Sequence, residues 1–383
     1  MSMFARRPAQ RSISYQDVWG HGADWTETGS GYSAAQAFAI SAVQGCLALR
    51  SGLIGQLPMQ SLRTVNGLDV PSLTQPPVIG KPSSVVVTSV WLVQMQISRD
   101  LWGNAFGYVA SWDGAGFPRF IEWLDPTKVR ASQAVYSGAV DVSFDGTPLD
   151  RSRVVIVPGR YVMPGSPLGV APLEATGLVE VAKLAKEFGR DWFRNGSVPS
   201  TVVYVDRELN ATQADEIADR ISAKWRKRKP AVVGTAISKI EYPEIKPNES
   251  QFLETQAQVG REICQSFSCN PQWVGLPSPG SSITYANVTT EKQAKLDSMN
   301  LDLRIVEDVL SDPSVTPRGQ FVKFNTGAYL QSDLMGRYES YKIAAEIQAA
   351  TGEPLLTNDE MRQLENRAPL PPRAPAPVAT AQP

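Results

Sequence analysis

The sequence predicts an α+β protein in which long helices carry a separate β-rich module. Three observations predict it. Leu178, Ala182, Ala185, Phe188 and Trp192 recur at helical spacing within Pro172–Asn195. Two more long helices, Phe252–Phe267 and Asn287–Leu310, flank a loop built from Gly275, Pro277, Pro279, Gly280, Ser281 and Ser282. Between residues 103 and 160, short alternating runs are punctuated by turns such as Asp113-Gly114.

Taken in order, residues 1–33 are polar and rich in Gly and Ser, and are expected to form a flexible arm. Ala34–Gly55 reads as a helix stopped by Gly55 and Pro58. Met59–Val65 and the Asn66-Gly67 pair predict a hairpin, because both turn residues tolerate positive φ. Val85–Leu101 reads as a helix. Phe106–Trp112, Arg119–Leu124, Lys128–Ala134, Val140–Phe144 and Val154–Val157 read as strands. Pro172 suits a first helical turn, where its missing N–H costs nothing. Asn195-Gly196 suits the other end. At about 1.5 Å per residue that helix would be about 36 Å long.

Val202–Val205 is expected as a strand. Thr212 is expected to cap a helix carrying Ile217, Ile221 and Trp225, ending in Lys224–Lys229. One or two strands fill 231–245. Asn270-Pro271 stops the helix before the Gly/Pro/Ser loop. Phe321–Phe324 is a strand and Leu334–Ala350 a helix closed by Gly352. Thr357-Asn358-Asp359-Glu360 is a capping box that opens a last helix. Residues 368–383 contain six prolines and are expected to be a disordered tail.

The composition removes several classes of function. The 383 residues carry a formal charge of −1, so any nucleic-acid contact must be local or loose. Three cysteines (Cys46, Cys264, Cys269) without a C-x-x-C pattern argue against a disulfide framework or a zinc site, and suit a reducing compartment. No apolar run approaches the ~20 residues needed to span a bilayer, and Arg6 and Arg7 precede no secretory segment. The reading is a soluble cytosolic protein.

No catalytic group, cofactor or metal site emerges. The single histidine, His21, sits between two glycines where nothing positions it. Gly275 to Ser282 has the spacing of a phosphate-binding loop, but Ser281 stands where the lysine must be. Gly165-Ser166-Pro167-Leu168-Gly169 has its serine one position too early for a nucleophile elbow. Lys224, Arg226, Lys227, Arg228 and Lys229 place five cations in six residues. They suit either a solvated helix end or a docking patch for an acidic partner. Cys264 and Cys269 read as small buried hydrophobes. The stripe Phe252, Val259, Ile263, Phe267 is equally a core face or a subunit interface.

The order of parts resembles the HK97-like portal proteins of tailed bacteriophages. Ala42–Pro58 looks like the family's first helix and its L-P stop. Gly103-Asn104-Ala105-Phe106 looks like its G-N-A-aromatic strand. Gly169-x-x-Pro172-Leu173, running to Phe193-Arg194-Asn195-Gly196, resembles its long helix. Ile263-x-x-x-Phe267-x-x-x-Pro271-x-x-Val274-Gly275 resembles its step from helix through proline. Leu356–Arg362 resembles its L-T-x-N-E-x-R ending, with Asp359 in place of Asn.

The resemblance implies a portal-type fold assembled as a ring, dodecameric by analogy. It would have an arm (1–33), a wing (34–171), a stem helix (172–196), a clip (197–248) and a second stem helix (249–269). A loop segment (270–286), a long wing helix with a return strand (287–332), a short helical crown (333–367) and the tail (368–383) complete it. Gly280, Ser281, Ser282, Ile283, Thr284 and Tyr285 would form the tunnel loop facing double-stranded DNA. The clip cations Lys224, Arg226, Lys227, Arg228 and Lys229 would dock the large terminase and then the head–tail adaptor. A major capsid protein or scaffold would be a further partner, and no membrane is involved. The setting implied is the portal vertex of a virion, with host cytoplasm during assembly. The residues agree with this reading, since nothing between Gly275 and Thr290 is charged and such a loop cannot grip a sliding phosphate backbone. The alternatives are another ring-forming structural or adaptor protein, and a nucleotide-binding enzyme using Gly275–Ser282.

Overall fold

The computed structural model describes residues 33–133, 139–174, 176–194, 202–205, 237–241, 249–276, 288–330 and 334–365, with isolated positions at 210–219 and at Ala368. The helix expected over Ala34–Gly55 is broken. Ala34–Phe38 is one short piece and α1 (Ser41–Gln56) the other, because Ile40 is extended (φ −93°, ψ 124°). The break lets Ala37 and Val43 point into the same core from two directions. Leu57, extended ahead of Pro58, ends α1.

β1 (Met59–Val65) and β2 (Leu68–Pro71) form the expected hairpin, with Asn66 and Gly67 both at positive φ (52° and 80°). α2 (Thr88–Trp102) starts three residues later than the expected Val85. The Ser83 hydroxyl accepts from the backbone N–H of Val85 and of Val86, both at 3.0 Å. That gives those donors a partner outside a helix and keeps the segment extended.

β3 (Asn104–Trp112), β4 (Pro118–Trp123), β5 (Val129–Gln133), β6 (Val140–Phe144), β7 (Thr147–Pro148) and β8 (Val154–Pro158) build the β-rich module as two antiparallel sheets, ordered β4-β3-β8 and β5-β6-β7. β9 (Tyr161–Val162) and β10 (Gly169–Val170) pair beyond them. The Gly103-Asn104 pair joins helix to sheet. Gly103 ends α2 in the left-handed region (φ 73°), and a Cβ there would lie 2.6 Å from the Gly169 carbonyl oxygen. The Asn104 amide takes both backbone groups of Gly169, donating to its O and accepting from its N at 2.8 Å each.

α3 (Leu178–Arg194) begins six residues after Pro172, which corrects the expected start. Leu173 is drawn into the core at 1% exposure, and Gly177 adopts a left-handed φ of 64°. The helix therefore opens only after that glycine, and its 17 residues span about 26 Å. β11 (Val202–Val205) pairs with β12 (Ile237–Glu241).

α4 (Glu249–Ser266) and α5 (Val288–Leu310) are the other two long helices. β13 (Phe321–Phe324) returns from far along the chain to pair with β1, Met59 opposite Phe324. α6 (Leu334–Thr351) ends at Gly352 (φ 79°). α7 (Asn358–Leu364) opens with the expected capping box: Thr357 N–H donates to the Glu360 carboxylate at 2.8 Å, and Glu360 N–H donates to Thr357 Oγ1 at 3.2 Å.

Three apolar clusters hold these parts, one of them within the β-rich module around Phe106, Val129 and Val142. The first joins α2, α5 and the β4-β3-β8 sheet through Trp91, Met95, Ile121, Val157, Leu303 and Val306. Within it, Trp91 Nε1 donates to Ile121 O at 2.7 Å, and Trp123 Nε1 donates to Trp91 O at 2.9 Å. The second joins α1 to the end of α4 through Val43, Leu47, Ile263 and Phe267. The stripe Val259, Ile263, Phe267 is therefore core. The side chain of Phe252 lies outside the described residues.

Candidate functional site

The loop residues 280–285 and the cations of 224–229 lie outside the described residues, as does His21. The structure does describe the two ends from which the loop leaves the fold. One end is α4 with the turn after it. Asn270 Oδ1 accepts from Gln272 N–H at 3.0 Å, and Pro271–Val274 forms a 3₁₀ turn closed by Gly275 at φ 79°. Leu276 N–H then donates to Pro271 O at 3.0 Å. The other end is the start of α5 at Val288.

The end of α4 and the body of α5 meet at one buried ionic junction. Arg50 of α1 lies at its centre at 1% exposure. Its guanidinium makes a two-point contact with Asp100 (2.9 and 3.0 Å) and reaches Asp302 of α5 at 3.1 Å. It also donates to the carbonyl of Phe267, just past α4, at 3.0 Å. That carbonyl is one of those a helix end leaves unpaired. A single side chain thus joins the end of α4 to Asp302, well inside α5. Lys295, in the first half of α5, lies 5.9 Å from the centre of the Trp273 ring and links that helix to the turn after α4.

Arg99 and Arg160 complete the junction. Arg99 donates to Pro158 O (2.8 Å) and Gln96 Oε1 (2.8 Å), and lies 3.4 Å from Asp302. Arg160 pairs with Asp302 and donates to Ser298 O at 2.8 Å. Three guanidiniums thus face two carboxylates, and backbone carbonyls absorb the surplus charge. Burial by itself would raise Asp302, but Arg50, Arg99 and Arg160 outweigh it and hold the group below the usual carboxylate range. Burial opposes the charge on Arg50 too, and Asp100 and Asp302 override it, so Arg50 stays a cation. At Arg99 desolvation wins over those carboxylates and lowers the group.

The junction was not singled out in the sequence. Its only signal is charge inside apolar windows, such as Arg50 between Leu49 and Leu53 or Asp302 between Leu301 and Leu303.

The cysteines are buried free thiols, as expected. Cys46 and Cys264 Sγ lie 3.7 Å apart. Contact with the Cys264 and Cys269 sulfurs, together with burial, keeps Cys46 a thiol. Among the described residues no group could hold a metal ion, and no helix is long and apolar enough to cross a membrane.

The described residues thus form a frame of packed helices and sheets knit together by a buried ionic junction. The chain matches the phage portal protein family over residues 41–366 and belongs to it. This is a family of structural proteins, not enzymes. Among curated relatives, a probable portal protein of Streptomyces phage phiC31 is 26% identical over 375 residues, covering 88% of this chain and 76% of the relative. Among solved structures, an HK97 family phage portal protein from Corynebacterium diphtheriae is 15% identical with a TM-score of 0.60, over 77% of this chain and 96% of that one. A chain from the neck of the native gene transfer agent particle, computed with C12 symmetry, is 16% identical with a TM-score of 0.56, over 88% and 92%. At these identities the solved structures establish the fold.

Proposed function

We propose that this portal protein forms a closed ring of twelve copies at one capsid vertex, and that double-stranded DNA passes through its centre during packaging and ejection. Residues 280–285 would line the channel, with Ser281, Ser282, Thr284 and Tyr285 offering weak, sequence-blind phosphate contacts. The carrying observation is that the two helices flanking the loop are fixed to each other: Arg50 binds Phe267 O and Asp302 at once. A loop that meets moving DNA needs anchored flanking helices and no fixed charge, and the sequence from Gly275 to Thr290 carries none.

The segment with Lys224, Arg226, Lys227, Arg228 and Lys229 would form the clip surface that docks the large terminase and later the head–tail adaptor. A capsid protein or scaffold would seat the ring in the shell. Reversing the charge of Lys227 and Arg228 should leave the ring intact and abolish DNA packaging in an assembly assay. Unchanged packaging would remove the docking role. Substituting Ser281 and Tyr285 should alter packaging without altering ring mass.

A further inference from the structure

The faces of α3 point to how neighbouring copies fit together, a reading that rests on the proposed ring. One face carries Ala182, Ala185 and Lys186. With the start of α1 and with Ala257 and Gly260 of α4, they line a groove of about 470 Å³. Its volume would suit a small ligand, but its lining is mostly aliphatic and lacks the convergent polar groups that orient one. About a third of a turn around the same helix, Val181, Leu184 and Phe188 form an apolar stripe, 46%, 58% and 51% exposed.

The charges are arranged to match. Glu187 borders the stripe, while Lys186 lines the groove. A closed cyclic ring has no translation along its axis, so one patch meets another only at the same height. Stripe and groove belong to the same two turns of one helix and meet this condition without further adjustment.

We propose that the stripe Val181–Leu184–Phe188 of one copy seats in the small-residue groove of the next, with Glu187 facing the neighbour's Lys186. The contact is head-to-tail, and it is the kind that closes into rings.

The test is disulfide trapping in the full chain carrying Leu184→Cys and Gln256→Cys, both at exposed positions. The native cysteines are buried and stay in place. Oxidation with copper phenanthroline should give a covalent ladder climbing to the ring mass, absent from either single variant and collapsed by reductant. Rings visible by electron microscopy without the ladder would overturn this contact and leave the ring reading standing. A protein that remains a monomer would overturn both. As a second arm, Glu187→Lys should raise the concentration needed for assembly several-fold, and adding Lys186→Glu should restore it. Failure of the double reversal to restore assembly, in a chain that melts like the wild type, would overturn the charge pairing.

Discussion

Helices α2 and α3 have similar lengths and opposite fates. α2 buries Trp91, Leu92, Met95 and Leu101, and even its charged Arg99 and Asp100 are inside. α3 keeps Val181, Leu184 and Phe188 in solvent. The wing around α2 is completed by its own chain, including a strand returned from residues 321–324. The region around α3 presents an apolar face that the proposed contact between copies would cover. On that reading foldedness and assembly depend on different residues, and the two can be broken separately.

The largest effect should come from the ionic junction. Asp302→Ala leaves three buried guanidiniums short of a carboxylate, and breaking such a network costs about 3–5 kcal/mol. Denaturant unfolding should show this as a lost or strongly shifted transition. Trp91→Ala removes an indole and its hydrogen bond to Ile121 O from the first core, at about 3–5 kcal/mol. Gly103→Ala forces a side chain onto a left-handed φ and into the Gly169 backbone, at about 1–3 kcal/mol in the same assay.

Acid should probe the junction with a smaller effect. The folded-state value of Asp302 lies below its ordinary 3.8, so its contribution is complete above that pH and is lost as pH falls through the depressed value. Half-buried Glu307 has the opposite sign. Burial raises it, so stability is greatest below its ordinary 4.5 and declines as pH rises through the raised value. Urea titrations in steps of pH should show Glu307→Gln flattening that decline.

The smallest effect on stability should come from Leu184→Ser, within about 0.5 kcal/mol of wild type, because the side chain is already exposed. Its ring assembly should nonetheless weaken. A large stability loss there would erase the distinction between wing and stem.

The sequence revealed what local chemistry dictates. The Asn66-Gly67 hairpin, the Thr357–Glu360 capping box and the strand at Val140–Phe144 each depend on neighbours in the chain. The start of α3 was misread because Pro172 is acceptable in a first helical turn, and only tertiary burial of Leu173 excludes it. The junction was illegible for a different reason. Arg50 meets Asp302 across the chain, and no local pattern announces a pair so distant in sequence. Motif order identified the family, while the tunnel and clip residues it implied lie outside the described parts of the fold.

Single-particle electron microscopy of the purified full chain tests the central claim most directly. The expected result is closed rings of twelve copies, with an open centre towards which residues 280–285 project. Monomers under every assembly condition, or rings whose 280–285 segment faces outward, would contradict it.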